Sequence, residues 1–313
     1  MLEHIPVLLN EVIDGLNIKE SGTYVDLTVG RGGHSSEILK RLKTGRLICV
    51  DQDEEAIVAS KARLSQISDN FVIIRNNFSA LESILSDLGI EQVDGILMDL
   101  GVSSPQFDEG ERGFSYKEDA KLDMRMDQRQ ELTAYQIVNS YSLEDISKIF
   151  QEYGEEKYSY SIAKNIIKSR EIAPIETTFQ LVEIIKRSKP MKELKKVGHP
   201  AKQVFQALRI AVNDELNVLT KTLHIALAHL APGGRLAVIT FHSGEDRIVK
   251  NIFKEAAISV GNRYDGPMLE TEKEFALINH KPITASENEL ESNHRSASAK
   301  LRIIAKKERR QQS

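Results

Sequence analysis

One cysteine in 313 residues is the scarcest resource of this chain. Cys49 cannot close an internal disulfide or build a thiolate metal cluster. Set among Leu47, Ile48 and Val50, it reads as a small buried hydrophobe rather than a nucleophile. Metal-ligand spacing is also missing: His34, His199, His242 and His294 are scattered, and no metal site is expected. No apolar run approaches the roughly 18 residues of a membrane span. The N-terminal MLEHIPVLL carries Glu3 and no basic n-region, so neither insertion nor secretion is expected and a cytoplasmic location is the default.

What is present is an ordinary globular composition, 41% hydrophobic and 28% charged, long enough for one large domain or two smaller ones. The net charge of −4 averages over unlike parts. Residues 154–202 hold eleven Lys or Arg against six Glu, which leaves the rest of the chain near −9. Such a region suits either an RNA contact or a solvated lysine-rich helical surface.

The stretch Thr23 to His34, TYVDLTVGRGGH, organises the chain. A short strand runs into the glycine turn Gly30-Arg31-Gly32-Gly33, and a helix opens behind it. Glycines let a bound nucleoside lie against the backbone and allow positive φ. A second strand, Leu47 to Val50, ends in Asp51, where a carboxylate can accept hydrogen bonds from ribose hydroxyls. Nicotinamide enzymes use a similar layout, but the dinucleotide spacing asks for glycine where Ser35 stands. Asp26, four residues ahead of Gly30, matches the acidic-x-x-x-Gly-x-Gly opening of S-adenosylmethionine (AdoMet) methyltransferases.

Further strands are predicted at Phe71–Ile74, ending near Phe78, and at Gly95–Asp99, with helices between them. This alternation specifies a parallel sheet covered on both faces. The next strand, Arg235–Phe241, begins 136 residues after Asp99. That interval is too long for one crossover helix, so it contains an inserted subdomain. Gln106 to Gln130 reads as a long functional loop, followed by helical patterns at 133–141, 143–153, 156–170, 177–188 and 201–230. A helix near 245–257 and two strands, Phe275–Ile278 and Leu301–Ala305, finish the chain. The loop between those strands, Ala285 to Ser298, is too short for a crossover, so an antiparallel pair is predicted.

Transfer of a sulfonium methyl needs a positioned nucleophile and the management of one proton. Asp99, at the start of D-L-G-V-S-S-P, can accept a hydrogen bond from an exocyclic amine, or can cap its segment or contact the cofactor's amino-acid end. Methylation at carbon 5 of cytosine requires an attacking thiolate, and Cys49 is wrongly placed for it.

Taken together, these segments resemble the bacterial 16S rRNA cytosine-N4-methyltransferase family, also called MraW. The likeness rests on His4-x-Pro6-Val7-Leu8, Asp26-x-Thr28-x-Gly30-Arg31-Gly32-Gly33-His34, and Met98 to Gln106. It continues through Arg112-Gly113-Phe114-Ser115, Leu122 to Asp127, Tyr153 to Glu156, His199 to Lys202, Phe205 to Ile210, and Phe241-His242-Ser243. It spans nearly the whole chain. The resemblance implies an α/β class I AdoMet-methyltransferase (Rossmann-like) with a seven-stranded sheet formed by residues 1–105 and 216–313, and an all-helical insert, 106–215, for RNA recognition. It implies AdoMet-dependent N4-methylation of a cytidine in the decoding region of 16S rRNA, within the small ribosomal subunit. Carried over by position, Gly32, Gly33, His34, Asp51, Phe78, Asp99 and Gln106 are expected to contact the cofactor; Asp99, from its place after the fourth strand, is also the leading catalytic candidate. Arg112, Phe114, Arg125, His242 and Arg295 are expected on the substrate side, with Phe114 stacking on an extruded base; Asp123, Arg125 and Asp127 can equally pair among themselves to hold the loop. Gly244, Ala297 and Gln203 depart from the family pattern, all outside the cofactor pocket. A non-catalytic RNA-binding assembly factor on the same fold is the alternative.

Overall fold

In the computed structural model the described residues are 6–100, 112–258 and 273–308. The chain divides into two compact units, Met1–Gly101 with Leu216–Ser313, and Val102–Glu215.

The first unit opens with α1 (Leu9–Leu16), β1 (Thr23–Asp26), α2 (Gly33–Leu39), β2 (Arg46–Asp51), α3 (Glu54–Leu64), β3 (Phe71–Arg75), α4 (Leu81–Asp87) and β4 (Val93–Asp99). Helix α1 runs through Gly15 to Leu16 and closes on Asn17 in the left-handed region at φ 48, so Gly15 does not end it. Gly15 answers to packing instead, because a Cβ there would overlap the side chain of Ile303.

The second unit is helical among its described residues: α5 (Ala134–Ser140), α6 (Leu143–Gly154), α7 (Ser159–Arg170), α8 (Thr178–Ser188), the single turn α9 (Met191–Leu194) and α10 (Lys202–Asn213). Thr133 with Gln136 and Thr177 with Gln180 form reciprocal capping boxes that start α5 and α8. The core of this unit includes Ile137, Phe150, Ile162, Leu181 and Leu208, all fully buried. The pattern 201–230, predicted as one helix, is two. Asp214 takes φ 49 and ends α10, and α11 (Glu215–Ala228) starts at the next residue. Periodicity carries no information about a single left-handed residue, so the break is invisible to it.

The chain then returns to the sheet through β5 (Leu230–Thr240), α12 (Ser243–Ala257), β6 (Phe275–Leu277), α13 (Glu287–Ser292) and β7 (Lys300–Lys306). The short α13 lies in the stretch expected to be loop. Strand order is β3-β2-β1-β4-β5-β7-β6. The first five strands are parallel, and β7 pairs antiparallel with both β5 and β6. This is the Rossmann-like α/β sheet of seven strands predicted from the sequence.

Alternate residues explain why the strands read as unbroken apolar runs. On β2, Ile48 and Val50 enter the core that holds Leu81, Leu223 and Phe253, while Leu47 and Cys49 enter the core that holds Val12, Leu16 and Ile38. Both faces are covered, so neither register position is left polar.

Candidate functional site

The carboxyl ends of β1, β2, β3 and β4 bring one set of residues together, the edge where open parallel sheets bind ligands. In the turn after β1, Gly30 sits at φ 50 and Gly32 at φ 75. The three glycines are small for different reasons. A Cβ on Gly33 would overlap Pro6, and one on Gly32 would press on Ser60 at 3.3 Å. A Cβ on Gly30 would meet nothing nearer than the Thr28 carbonyl oxygen at 3.9 Å. Gly30 alone of the three therefore fronts open space, where a ligand can approach the backbone.

Asp51 is bonded into the same turn. Its Oδ2 accepts the Gly30 N–H at 2.9 Å, and its Oδ1 accepts the Asp53 N–H at 3.0 Å. Burial pushes its carboxyl up to about 6, against the lowering pull of those two N–H groups. Phe78 opens a single 3-10 turn after β3 and packs at the margin of the first core. The Asn77 side chain caps that turn and its Nδ2 donates to Gln52 Oε1 at 3.0 Å.

Behind the turn lies a polar cluster. Asp26, 1% exposed, accepts the Ser35 hydroxyl at 2.6 Å and the Thr28 N–H at 3.1 Å. Burial raises its carboxyl; the Ser35 hydroxyl, His34 and the Thr28 N–H pull it down, and Asp99 adds to the rise. Asp99, whose side chain is 24% exposed at the end of β4, donates its N–H to Thr28 Oγ1 at 2.7 Å. His34 lies with Nε2 2.9 Å from the Val7 carbonyl and Nδ1 3.8 Å from Asp99 Oδ2. Cys49 sits 3.4 Å from the Ser35 hydroxyl with its thiol pushed up by burial, which agrees with an inert core position.

So Gly32, Gly33, His34, Asp51, Phe78 and Asp99 lie at one edge of the sheet; Gln106 is outside the described residues. What pattern reasoning missed is the convergence of Asp26, His34 and Asp99. The signal was present in Asp26, read only as part of the glycine motif, and in Val7, whose carbonyl no side-chain pattern reveals.

The residues expected on the substrate side are differently employed. Phe114 is 3% exposed inside the core of the second unit, with the Arg112 guanidinium 5.4 Å from its ring centroid. A ring so enclosed has no face to offer a base, and the stacking expectation is corrected on that ground. Arg112 donates to the carbonyls of Arg125 and Met126 at 2.5 and 3.0 Å. Arg125 grips Asp123 through two hydrogen bonds of 2.8 Å and also donates to the carbonyls of Gln128 and Gln130. Burial alone would raise the Asp123 carboxyl; bonds from Arg125 and the charges of Arg125 and Arg112 hold it below the ordinary range. Both arginines thus brace the loop. In the basic region, Lys189 and Glu156 form an ion pair buried to 7% and 1% exposure, a structural contact rather than a phosphate ligand.

His242 is the N-cap of α12: its Nδ1 accepts the Glu245 N–H at 3.4 Å, and Glu245 Oε2 accepts the Phe241 N–H at 2.8 Å. Arg295 is half-buried in a 3-10 turn, His294–Ser298, before β7. Among the described residues no helix is long and apolar enough to cross a membrane.

Comparison with known proteins agrees with this frame. The model of the MraW methylase family matches residues 1–307. The protein named ribosomal RNA small subunit methyltransferase H of Mesoplasma florum is 53% identical over 311 residues, 98% of this chain and all of that one. Its namesake from Exiguobacterium sibiricum is 54% identical over 308 residues, 98% of this chain and 99% of that one. Among solved structures, an rRNA methylase from Streptococcus thermophilus aligns at TM-score 0.44 and 12% identity over 98% and 99% of the two chains. A match of this extent to the family's model and to full-length relatives identifies the chain as a member of the MraW methylase family.

Proposed function

We propose that this chain is an AdoMet-dependent rRNA methyltransferase and that its product is an N4-methylated cytidine in the decoding region of 16S rRNA. The coarser part, AdoMet-dependent methylation of small-subunit rRNA, rests on family membership and on the names of relatives sharing more than half their residues. The finer part, base and atom, is our reading of the site.

The observation that carries it is the pairing of Asp51 with Gly30. The carboxylate is fixed by two backbone N–H groups and retains lone pairs for two ribose hydroxyls. The face of Gly30, where a Cβ would find only open space, is the cradle the nucleoside needs. Phe78 can lie against an adenine ring, and Gly32, Gly33, His34 and Gln106 complete the proposed contacts. When bound, AdoMet supplies an electrophilic methyl on a sulfonium. Asp99 accepts a hydrogen bond from the exocyclic amine, orients its lone pair and stabilises the positive charge that grows on nitrogen. The helical unit is proposed to read the RNA, with its local excess of positive charge meeting phosphates.

The test is methyl transfer from labelled AdoMet to small subunits lacking the modification, followed by mass analysis of the nucleosides. N4-methylcytidine is the expected product. A methyl on another base or atom, or no incorporation, would overturn the reading; incorporation that survives Asp99→Ala would remove Asp99 from the chemistry.

A further inference from the structure

Methyl transfer to an exocyclic amine releases one proton from the acceptor nitrogen, and the structure contains a place for it. A carbonyl oxygen can only accept, so the 2.9 Å contact between His34 Nε2 and the Val7 carbonyl puts the ring hydrogen on Nε2. In the neutral imidazole Nδ1 then carries a lone pair, and that lone pair lies 3.8 Å from Asp99 Oδ2. Nδ1 and the carboxylate are both acceptors, so a proton that reaches Asp99 has a second acceptor beside it.

The arrangement is held from three sides. Pro6 lies over Gly33, which tolerates no Cβ for that reason. Leu8, left-handed at φ 52, gives its N–H to Glu289 Oε1 at 2.8 Å, and this fixes the segment that presents the Val7 carbonyl. The ring itself is 6% exposed. Among the described residues, the charged groups that bear on the ring are Asp26 at the end of β1 and Asp99 at the end of β4, while Glu289 on α13 holds the neighbouring Leu8. Asp26 is committed to Ser35 and Thr28, and Glu289 to Leu8. Asp99 is the member that also reaches solvent, with a quarter of its side chain exposed.

We infer that His34, acting through Asp99, stores the proton that leaves the acceptor amine during methyl transfer. This rests on the reading under Proposed function. The nitrogen lone pair forms the bond to the methyl carbon while the carbon–sulfur bond breaks and leaves its electron pair on sulfur. The surplus N–H proton passes to the Asp99 carboxylate and from there to His34 Nδ1, producing an imidazolium whose Nε2–H stays on Val7. After product leaves, the proton returns through Asp99 to solvent. The segment Pro6-Val7-Leu8 thereby sets the tautomer of a histidine that it does not neighbour in sequence.

The experiment compares wild type with His34→Gln, whose amide N–H can still reach the Val7 carbonyl but whose side chain does not titrate. Single-turnover methyl transfer to small subunits is followed from pH 6.5 to pH 9 alongside the AdoMet dissociation constant. The expected result is a rate lower by about 100-fold near pH 7, within the usual range for a lost acid-base partner. The deficit shrinks as pH rises, and it persists at saturating AdoMet, which separates it from any loss of cofactor affinity. A rate equal to wild type, or a uniform fall with an unchanged pH profile, would overturn the inference and leave His34 a structural residue. A second measurement needs no variant: ¹⁵N spectra of histidine-labelled wild type at pH 8 are expected to show His34 with its hydrogen on Nε2, and the Nδ1–H tautomer would also overturn the inference. Should wild type transfer no methyl at all, the functional reading falls as well; an active wild type with an unaltered His34→Gln removes the proton store alone.

Discussion

Replacing Asp51 by asparagine separates holding the turn from holding the cofactor. The two oxygens of Asp51 each accept a different backbone N–H, from Gly30 and from Asp53. An amide has one oxygen, so one of those N–H groups would face an NH₂, and the loss is about 1 to 3 kcal/mol. Against this, the site lifts the carboxyl from the ordinary 3.8 to about 6, which makes keeping it ionised at pH 7.5 unfavourable by about 3 kcal/mol. The neutral amide is relieved of that cost. The two contributions oppose each other and are of similar size, so the melting temperature is expected to move by no more than a few degrees. Binding has no such compensation. Hydrogen bonds to a charged acceptor contribute about 1.5 to 3 kcal/mol, so AdoMet affinity is expected to fall about 10- to 100-fold. Titration calorimetry with AdoMet, run beside differential scanning calorimetry on Asp51→Asn, reads both quantities. Unchanged affinity would refute the ribose role, and a collapse of the fold would refute the balance of the two stability contributions.

The same carboxyl sets a pH dependence. Its folded value is raised, so between about pH 4 and pH 6 the native state binds more protons than the unfolded one, and its contribution to stability declines as pH rises through that window. Cofactor binding moves the other way, because the ionised form is the better acceptor: AdoMet affinity at pH 5 is expected to be about tenfold below that at pH 7.5, measured by calorimetry, and a flat profile would contradict the assignment. Gly30→Ala and Gly33→Ala are expected to differ in kind. The first costs stability about 1 to 2 kcal/mol for a left-handed alanine but chiefly blocks AdoMet, whereas the second meets Pro6, lowers the melting temperature by overpacking of about 1 to 3 kcal/mol, and weakens AdoMet binding less than the first does. Phe114→Ala is expected to destabilise the helical unit by about 3 to 5 kcal/mol in denaturant titration, as befits a core ring and not a base-stacking one.

Much of the sheet was legible because strands buried on both faces leave a simple mark: short apolar runs, each ending in a residue of different chemistry, such as Asp51 after Val50 and Asp99 after Met98. The antiparallel end of the sheet followed from a loop length. What did not show were features fixed by single backbone angles or by tertiary contacts. Asp214 ends a helix through one left-handed residue, in a run whose apolar spacing continues past it. The family resemblance put Phe114, Arg112 and Arg125 on the RNA side, a role that aromatic and arginine side chains suit, yet this loop has its own interior and the same side chains fill and brace it. At the site, sequence spacing found Asp51 and Asp99 but not the bond from Val7 to His34, which joins residues 27 apart through a main-chain oxygen.

The most direct measurement is a crystal structure of the full chain with S-adenosylhomocysteine. Both ribose hydroxyls are expected within hydrogen-bond reach of the Asp51 carboxylate, the adenine beside Phe78, and the sulfur at the Asp99 end of the turn with room beyond it for a pyrimidine amine. A ligand bound away from Gly30, or one whose sulfur lies on the far side from Asp99, would contradict the proposed site.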